Sequence, residues 1–205
     1  MTEEEKRPAI FLDRDGTINE EVGYLDRLEK LRLIPGAAEA IRLIGQSGMK
    51  TVVVTNQSGI ARGMFDEVFV GAAHERLREM LREEGASVDG FYFCPHHPTE
   101  GRERYRMNCA CRKPAPGLLL RAARELSIDP ERSYMIGDTV KDIEAGSRFG
   151  ARGILVLTGY GAKAADIFGS GGGVHPAGGQ PMIRPAYIAA DILAAVRWIL
   201  KDREA

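Results

Sequence analysis

Short apolar runs alternate along the chain with stretches in which apolar residues return every three or four positions. AIFL at 9–12 is the first run, and it closes on Asp13. TVVVT at 51–55 is β-branched at most positions, which predicts a strand buried on both faces. VDGFYF at 88–93, SYMIG at 133–137, GILVL at 153–157 and AYIAA at 186–190 predict further strands. Ala37, Ala40, Ile41 and Ile44 share one helical face, between Pro35-Gly36 and Gly48. Val70, Ala73, Leu77, Met80 and Leu81 mark a second helix ended by Gly85, and Leu119, Ala122, Ala123 and Leu126 a third. A short helix is expected between 137 and 153, and DILAAVRWIL at 191–200 predicts the last. The alternation predicts an α/β fold: a doubly wound, largely parallel, Rossmann-like sheet with helices on both faces. No repeat or second pattern interrupts it, so residues 1–205 are expected to form one domain.

Two segments depart from the alternation. Residues 94–114 are rich in Pro, His, Cys and Arg and predict a long loop. GSGGGVHPAGGQP at 169–181 is Gly- and Pro-rich and predicts a mobile one.

Charge narrows the partners. The formal net charge is −1 and the pI about 6.5, so no broad positive field exists for nucleic acid or an anionic membrane. The start, MTEEEKRPAIFLD, lacks the basic-then-apolar order of a secretory signal, and the apolar runs are strand-length. A cytoplasmic monomer acting on a small molecule is the expectation.

Ligands on such sheets bind beyond the carboxyl ends of the strands. Asp13, Thr55 and Asp138 sit there. Four segments carry the chemistry: FLDRDGT (11–17), VVVTNQSG (52–59), CRKPAPG (111–117) and MIGDTVKD (135–142). A single Asp at a strand end is commonly a cap or turn residue; four such segments in this order are not. Two carboxylates from different strands suit magnesium, which prefers hard oxygen ligands. With the repulsion between anions relieved, a carboxylate can attack phosphorus.

The three cysteines all fall in the long loop, as C-x-H, twelve residues, then C-x-C: Cys94, His96, Cys109 and Cys111. Three thiolates and an imidazole form a recognised closed zinc set. His97 is an alternative to His96. His74 is placed on the polar side of its helix, and His175 in the Gly-rich stretch, both as solvated or locally bonded residues.

In these motifs the chain resembles the haloacid dehalogenase-like (HAD) phosphohydrolases, whose pattern is D-x-D-G-T, then Ser/Thr, Lys and G-D-x-x-x-D. Here these are Asp13, Asp15, Gly16 and Thr17; Thr55; Lys113; and Gly137, Asp138 and Asp142. The resemblance covers residues 9 to about 160. It implies that Asp13 is the nucleophile, Asp15 the general acid and then base, and Thr55 and Lys113 the groups that steady the phosphoryl group. It also implies that Asp13, Asp138 and the main-chain carbonyl of Asp15 hold magnesium, with Asp142 behind them, and it favours His96 as the fourth zinc ligand. The C-P-H-H-P start of the loop and C-x-C-R-K-P-x-P-G narrow the match to a zinc-loop subgroup acting on a sugar bisphosphate, or on histidinol phosphate as the alternative. That subgroup implies substrate contacts from Glu21, Val22, Gly23, Tyr24, Thr55, Asn56, Gln57, Ser58, Arg112, Lys113 and Thr139. Only about forty residues separate Asp13 from Thr55, too few for an inserted cap domain. A sugar-phosphate-binding module without turnover, and a mutase on the same scaffold, are the rival readings.

Overall fold

The computed structural model describes residues 6–169, 172–175 and 182–204. Most of the Gly-rich segment expected at 169–181 lies outside the described residues.

Six parallel strands form one sheet in the order β3-β2-β1-β4-β5-β6. They are β1 (Ala9–Leu12), β2 (Lys50–Asn56), β3 (Gly90–Cys94), β4 (Tyr134–Gly137), β5 (Arg152–Val156) and β6 (Tyr187–Ala189). Six helices join or follow them: α1 (Ala37–Gln46), α2 (Glu67–Glu83), α3 (Gly117–Glu125), α4 (Val140–Phe149), α5 (Gly161–Phe168) and α6 (Ile192–Asp202). The expected doubly wound α/β architecture is the one observed. The stretch between Asp13 and Thr55 holds a 3-10 turn at Leu28–Lys30 and α1.

Alternation along β1 sets the two layers. Ile10 and Leu12 point into a core with Ile41 of α1, Leu77 of α2 and Val196 of α6. Ala9 and Phe11 point the other way, against Leu119 of α3 and Phe149 of α4. Phe11 meets Phe149 edge-on at 5.2 Å. This central strand is wholly buried, so an apolar run without polar alternation forms it.

The chain winds outward from β1 in both directions, to β2 and β3 on one side and to β4, β5 and β6 on the other. Leu12 pairs with Val53 and with Ile136, so β1 ends between the two directions of winding. A crevice opens at such a reversal.

Three expectations shift. β3 begins at Gly90, because Asp89 turns back to accept a 2.8 Å hydrogen bond from Thr51 N. α5 was not anticipated: GAKAADIF offers only Ala164 and Phe168 as buried side chains, beside a Gly-rich stretch that masks the pattern. His74 is buried, not solvated, and stacks on Phe91 at 4.8 Å. It stands four residues after Val70 and seven before Leu81, on the inward stripe of α2.

Candidate active site

The crevice is a pocket of about 290 Å³ at the carboxyl ends of β1, β2 and β4. Asp13 follows β1, where its amide still donates to Ile136 O (2.9 Å). Its Oδ1 accepts from Arg14 N (2.7 Å) and from Lys113 Nζ (2.8 Å). Its Oδ2 has no donor among the described residues. Burial pushes the Asp13 carboxyl well above its usual range; Lys113 opposes this, while Asp142 and Asp138 add to it.

Asp138 follows β4 and faces the Asp13 turn. Its Oδ2 accepts from Tyr160 N (2.8 Å). Gly16 lies against that same oxygen, where a Cβ would come within 2.2 Å, and its φ of +81° is a second reason for glycine. Burial lifts the Asp138 carboxyl to about 7 against the pull of the Tyr160 amide.

Lys113 is buried; its Nζ donates to Val54 O (2.8 Å) and pairs by charge with Asp13 Oδ1 (2.8 Å) and Asp142 Oδ1 (2.6 Å). Burial alone would lower its pKa, but the two carboxylates hold it above the ordinary lysine range. Asp142 is in turn a cap for α4: its Oδ2 accepts from Thr139 N (3.0 Å) and Thr139 Oγ1 (2.5 Å). Gly137 makes room for this, since a Cβ there would meet Asp142 Cβ at 2.3 Å.

The donor chemistry here suits a small hard cation. Oxygens of Asp13, Asp138 and Asp142 lie within 4.8 Å of one another. One lysine faces three carboxylates, and the oxygens of Asp142 are already taken by Lys113 and Thr139. Asp13 and Asp138 are left to offer oxygens, and the three carboxylates together carry more charge than one lysine balances, which a divalent ion relieves.

Asp15 is gripped by side chains. Arg14 Nε and Nη2 donate to its Oδ1 (3.2 and 3.0 Å), and Nη2 also reaches Oδ2 (2.9 Å). Asn19 Nδ2 donates to Oδ1 (2.9 Å) and Gln57 Nε2 to Oδ2 (2.8 Å). Burial pushes the Asp15 carboxyl up, yet Arg14 and these hydrogen bonds outweigh it and hold it below its usual range.

The long loop packs its donors together. His96 Nδ1 stands 3.3 Å from Cys111 Sγ and 3.6 Å from Cys94 Sγ; the three sulfurs are 3.2–3.6 Å apart and form no disulfide. All four donor atoms lie within 4.8 Å of one another, which fits a tetrahedral sulfur-rich site. The contact with the Cys94 thiol draws Cys111 down to about 5. His97 faces elsewhere, its Nδ1 accepting from Glu100 N (3.0 Å). Arg112 Nη1 donates to His96 O (3.0 Å), and Asn56 exchanges two 3.1 Å hydrogen bonds with the Lys113 main chain.

Of the residues singled out as substrate contacts, Glu21, Gly23, Tyr24, Thr55, Asn56, Gln57, Ser58, Arg112, Lys113 and Thr139 line the pocket. Val22 does not; it is exposed in the loop between them. Three residues were overlooked. Arg14 is 1% exposed, an arginine inside an otherwise buried turn. Lys141 and Tyr160 line the pocket. The clue for Lys141 was its place in the first turn of a helix that begins at the site.

A family model described as haloacid dehalogenase-like hydrolase matches residues 2–150, and one described as HAD-hydrolase-like matches 110–195. The chain is 43% identical over 197 residues to D-glycero-D-manno-heptose-1,7-bisphosphate 7-phosphatase of Thermosynechococcus vestitus, covering 94% of this chain and 95% of that protein. It is 46% identical over 154 residues to D-glycero-beta-D-manno-heptose-1,7-bisphosphate 7-phosphatase of Escherichia coli, covering 74% and 80%. A crystal structure of D,D-heptose 1,7-bisphosphate phosphatase from B. bronchiseptica, complexed with magnesium and phosphate, superposes with a TM-score of 0.79 at 32% identity, covering 95% of this chain and 99% of that one.

Proposed function

The chain belongs to the haloacid dehalogenase-like hydrolases, and from that membership we propose that it removes the 7-phosphate of D-glycero-D-manno-heptose 1,7-bisphosphate, in the making of nucleotide-activated heptose. The observation that carries the reading is the meeting of Asp13, Asp15, Thr55, Lys113 and Asp138 in one pocket with Arg112 and Lys141. The named relatives support the choice of sugar.

Asp13 attacks phosphorus and becomes the aspartyl phosphate. Asp15 gives a proton to the departing sugar oxygen, then takes one from the water that releases phosphate. The carboxylate favoured by Arg14 is the form the second step needs; the dianionic ester brought beside Asp15 favours the protonated form for the first. Thr55 donates its hydroxyl hydrogen to a phosphoryl oxygen, and Lys113 balances charge between Asp13 and Asp142. Asp13, Asp138 and the Asp15 carbonyl would hold magnesium, with Asp142 acting through Lys113. When bound, the ion neutralises the ester's charge. Cys94, His96, Cys109 and Cys111 would hold zinc as a structural clamp on the loop carrying Arg112 and Lys113.

A bisphosphate matches the cations. Lys113 is fully committed inside, whereas Lys141 has no ion-pair partner among the described residues and Arg112 bonds only a carbonyl. Both are available to a second phosphate. Glu21 favours the alternative, histidinol phosphate, because a half-buried carboxylate in the pocket could take its amine; Glu20 is exposed and outside the pocket.

Phosphate release with magnesium across heptose bisphosphate, histidinol phosphate and plain sugar phosphates tests the reading. Asp13→Asn should lower turnover by roughly a thousandfold or more while the protein still folds. A preference for histidinol phosphate, or full turnover by Asp13→Asn, overturns it.

A further inference from the structure

Gln57 follows Thr55 by two residues at the end of β2, and only 4% of it is exposed. Its main-chain amide donates to Cys94 O (2.8 Å), which fixes the backbone against the start of the cysteine loop. Its side-chain Nε2 lies 2.8 Å from Asp15 Oδ2 and 2.8 Å from Thr55 Oγ1.

The chemistry decides the direction of both bonds. A carboxylate only accepts, so the NH2 end of the amide must face Asp15. That group has two hydrogens and two acceptors at hydrogen-bond distance. The second hydrogen therefore goes to Thr55 Oγ1, which becomes an acceptor there. Its own hydrogen, with no acceptor among the described residues, is then left for the pocket. One amide thereby fixes the direction of a carboxylate on the β1 turn and of a hydroxyl on β2. On its other side Asp15 is held by the Arg14 fork, so Gln57 supplies the cross-strand half of the grip.

We propose that Gln57 is a positioning residue, not a substrate ligand: its side-chain amide ties the Asp15 carboxylate to the Thr55 hydroxyl and sets both for phosphoryl transfer. The proposal rests on the phosphatase reading above and on its roles for Asp15 and Thr55. A substrate ligand is felt in binding; a group that orients the acid and the hydroxyl that donates to the phosphoryl group is felt in turnover. Misplaced catalytic groups cost turnover steeply.

The test uses the full-length, metal-loaded protein. Gln57→Met keeps the length of the side chain without its donors, and Gln57→Glu keeps its shape with a charge facing Asp15. With heptose bisphosphate, Gln57→Met should lower kcat by about 10- to 100-fold and leave KM within about twofold. The part of the loss that comes through Asp15 should shrink with p-nitrophenyl phosphate, whose leaving group needs little proton donation, while the part through Thr55 should remain. Gln57→Glu should fall at least as far. In an Asp15→Asn background, Gln57→Met should cost less than it does alone, because the two act as a unit. Unfolding midpoints guard against misfolding, and Gln57→Asn, too short to span both acceptors, should behave like Met if the fold is kept. A rise in KM at constant kcat in Gln57→Met would make Gln57 a substrate ligand and overturn the proposal, as would an undiminished cost of Gln57→Met in the Asp15→Asn background. Absence of phosphate release from any substrate by the wild-type protein would instead overturn the phosphatase reading.

Discussion

At the residue scale, burial decides what each ionisable group can do. His74 is the simplest case. Burial, helped by Arg14, holds its pKa near 3 against an ordinary 6.5, so it is neutral in the folded protein. As pH falls through 6.5 the unfolded chain takes up a proton that the folded chain refuses until about 3. Stability present above 6.5 is therefore lost on acidification. His74→Phe removes this term. Between pH 7.5 and 5, urea unfolding should show wild type losing about 2 kcal/mol more than the variant. An equal loss in both would contradict neutral burial. The same scale shows what the residue string could convey. Asp13, Asp138 and Thr55 were legible because each follows an apolar run, and a strand's last residues open onto the crevice. Arg14 was not, because its fork to the neighbouring Asp15 depends on how the turn folds back. His74 was read by its polarity, not by its place on the helical stripe.

At the element scale, the long loop is held by side chains together with short pieces of backbone pairing. Its ties include the cysteine and histidine cluster, the Asn56–Lys113 pair, the bond from Gln57 N to Cys94 O, a bridge between His97 and Arg106 and one 3-10 turn at Glu103–Tyr105. Cys109→Ser removes one of the four donors of the proposed zinc site and should loosen the loop that carries Arg112. The expected outcome is loss of bound zinc, a lower unfolding temperature and about a tenfold or greater fall in kcat/KM. Metal analysis beside kinetics checks it; full activity in a zinc-free variant would show that the clamp is dispensable. The cysteine spacing was legible from sequence because so few thiols fell so close together. α5 was not, since a two-turn helix with two buried side chains leaves almost no period to read.

At the scale of the whole molecule, the sheet order accounts for the site. Strands wind away from β1 in both directions, and Asp13, Thr55 and Asp138 come from the ends of β1 and its two neighbours, joined in the pocket by Lys113 from the loop before α3. The alternating pattern predicted that layout, but not which surface cations would reach the pocket. Lys141 needed the helix to be placed before it could be recognised. Arg112→Ala and Lys141→Ala should each raise KM for the bisphosphate by about 10- to 100-fold, the worth of one charge-assisted hydrogen bond. With the matching monophosphate KM should hardly change, and kcat should survive in both. Equal losses on mono- and bisphosphate would remove the second-phosphate role.

The separation of strand ends from mouth residues bears on how such a protein diversifies. Asp13, Thr55 and Asp138 sit at the ends of buried, paired strands, whereas residues 21–24, Arg112 and Lys141 ride on turns and a helix start. A library randomised only at the latter positions would therefore search among ester identities while every clone kept the hydrolytic apparatus.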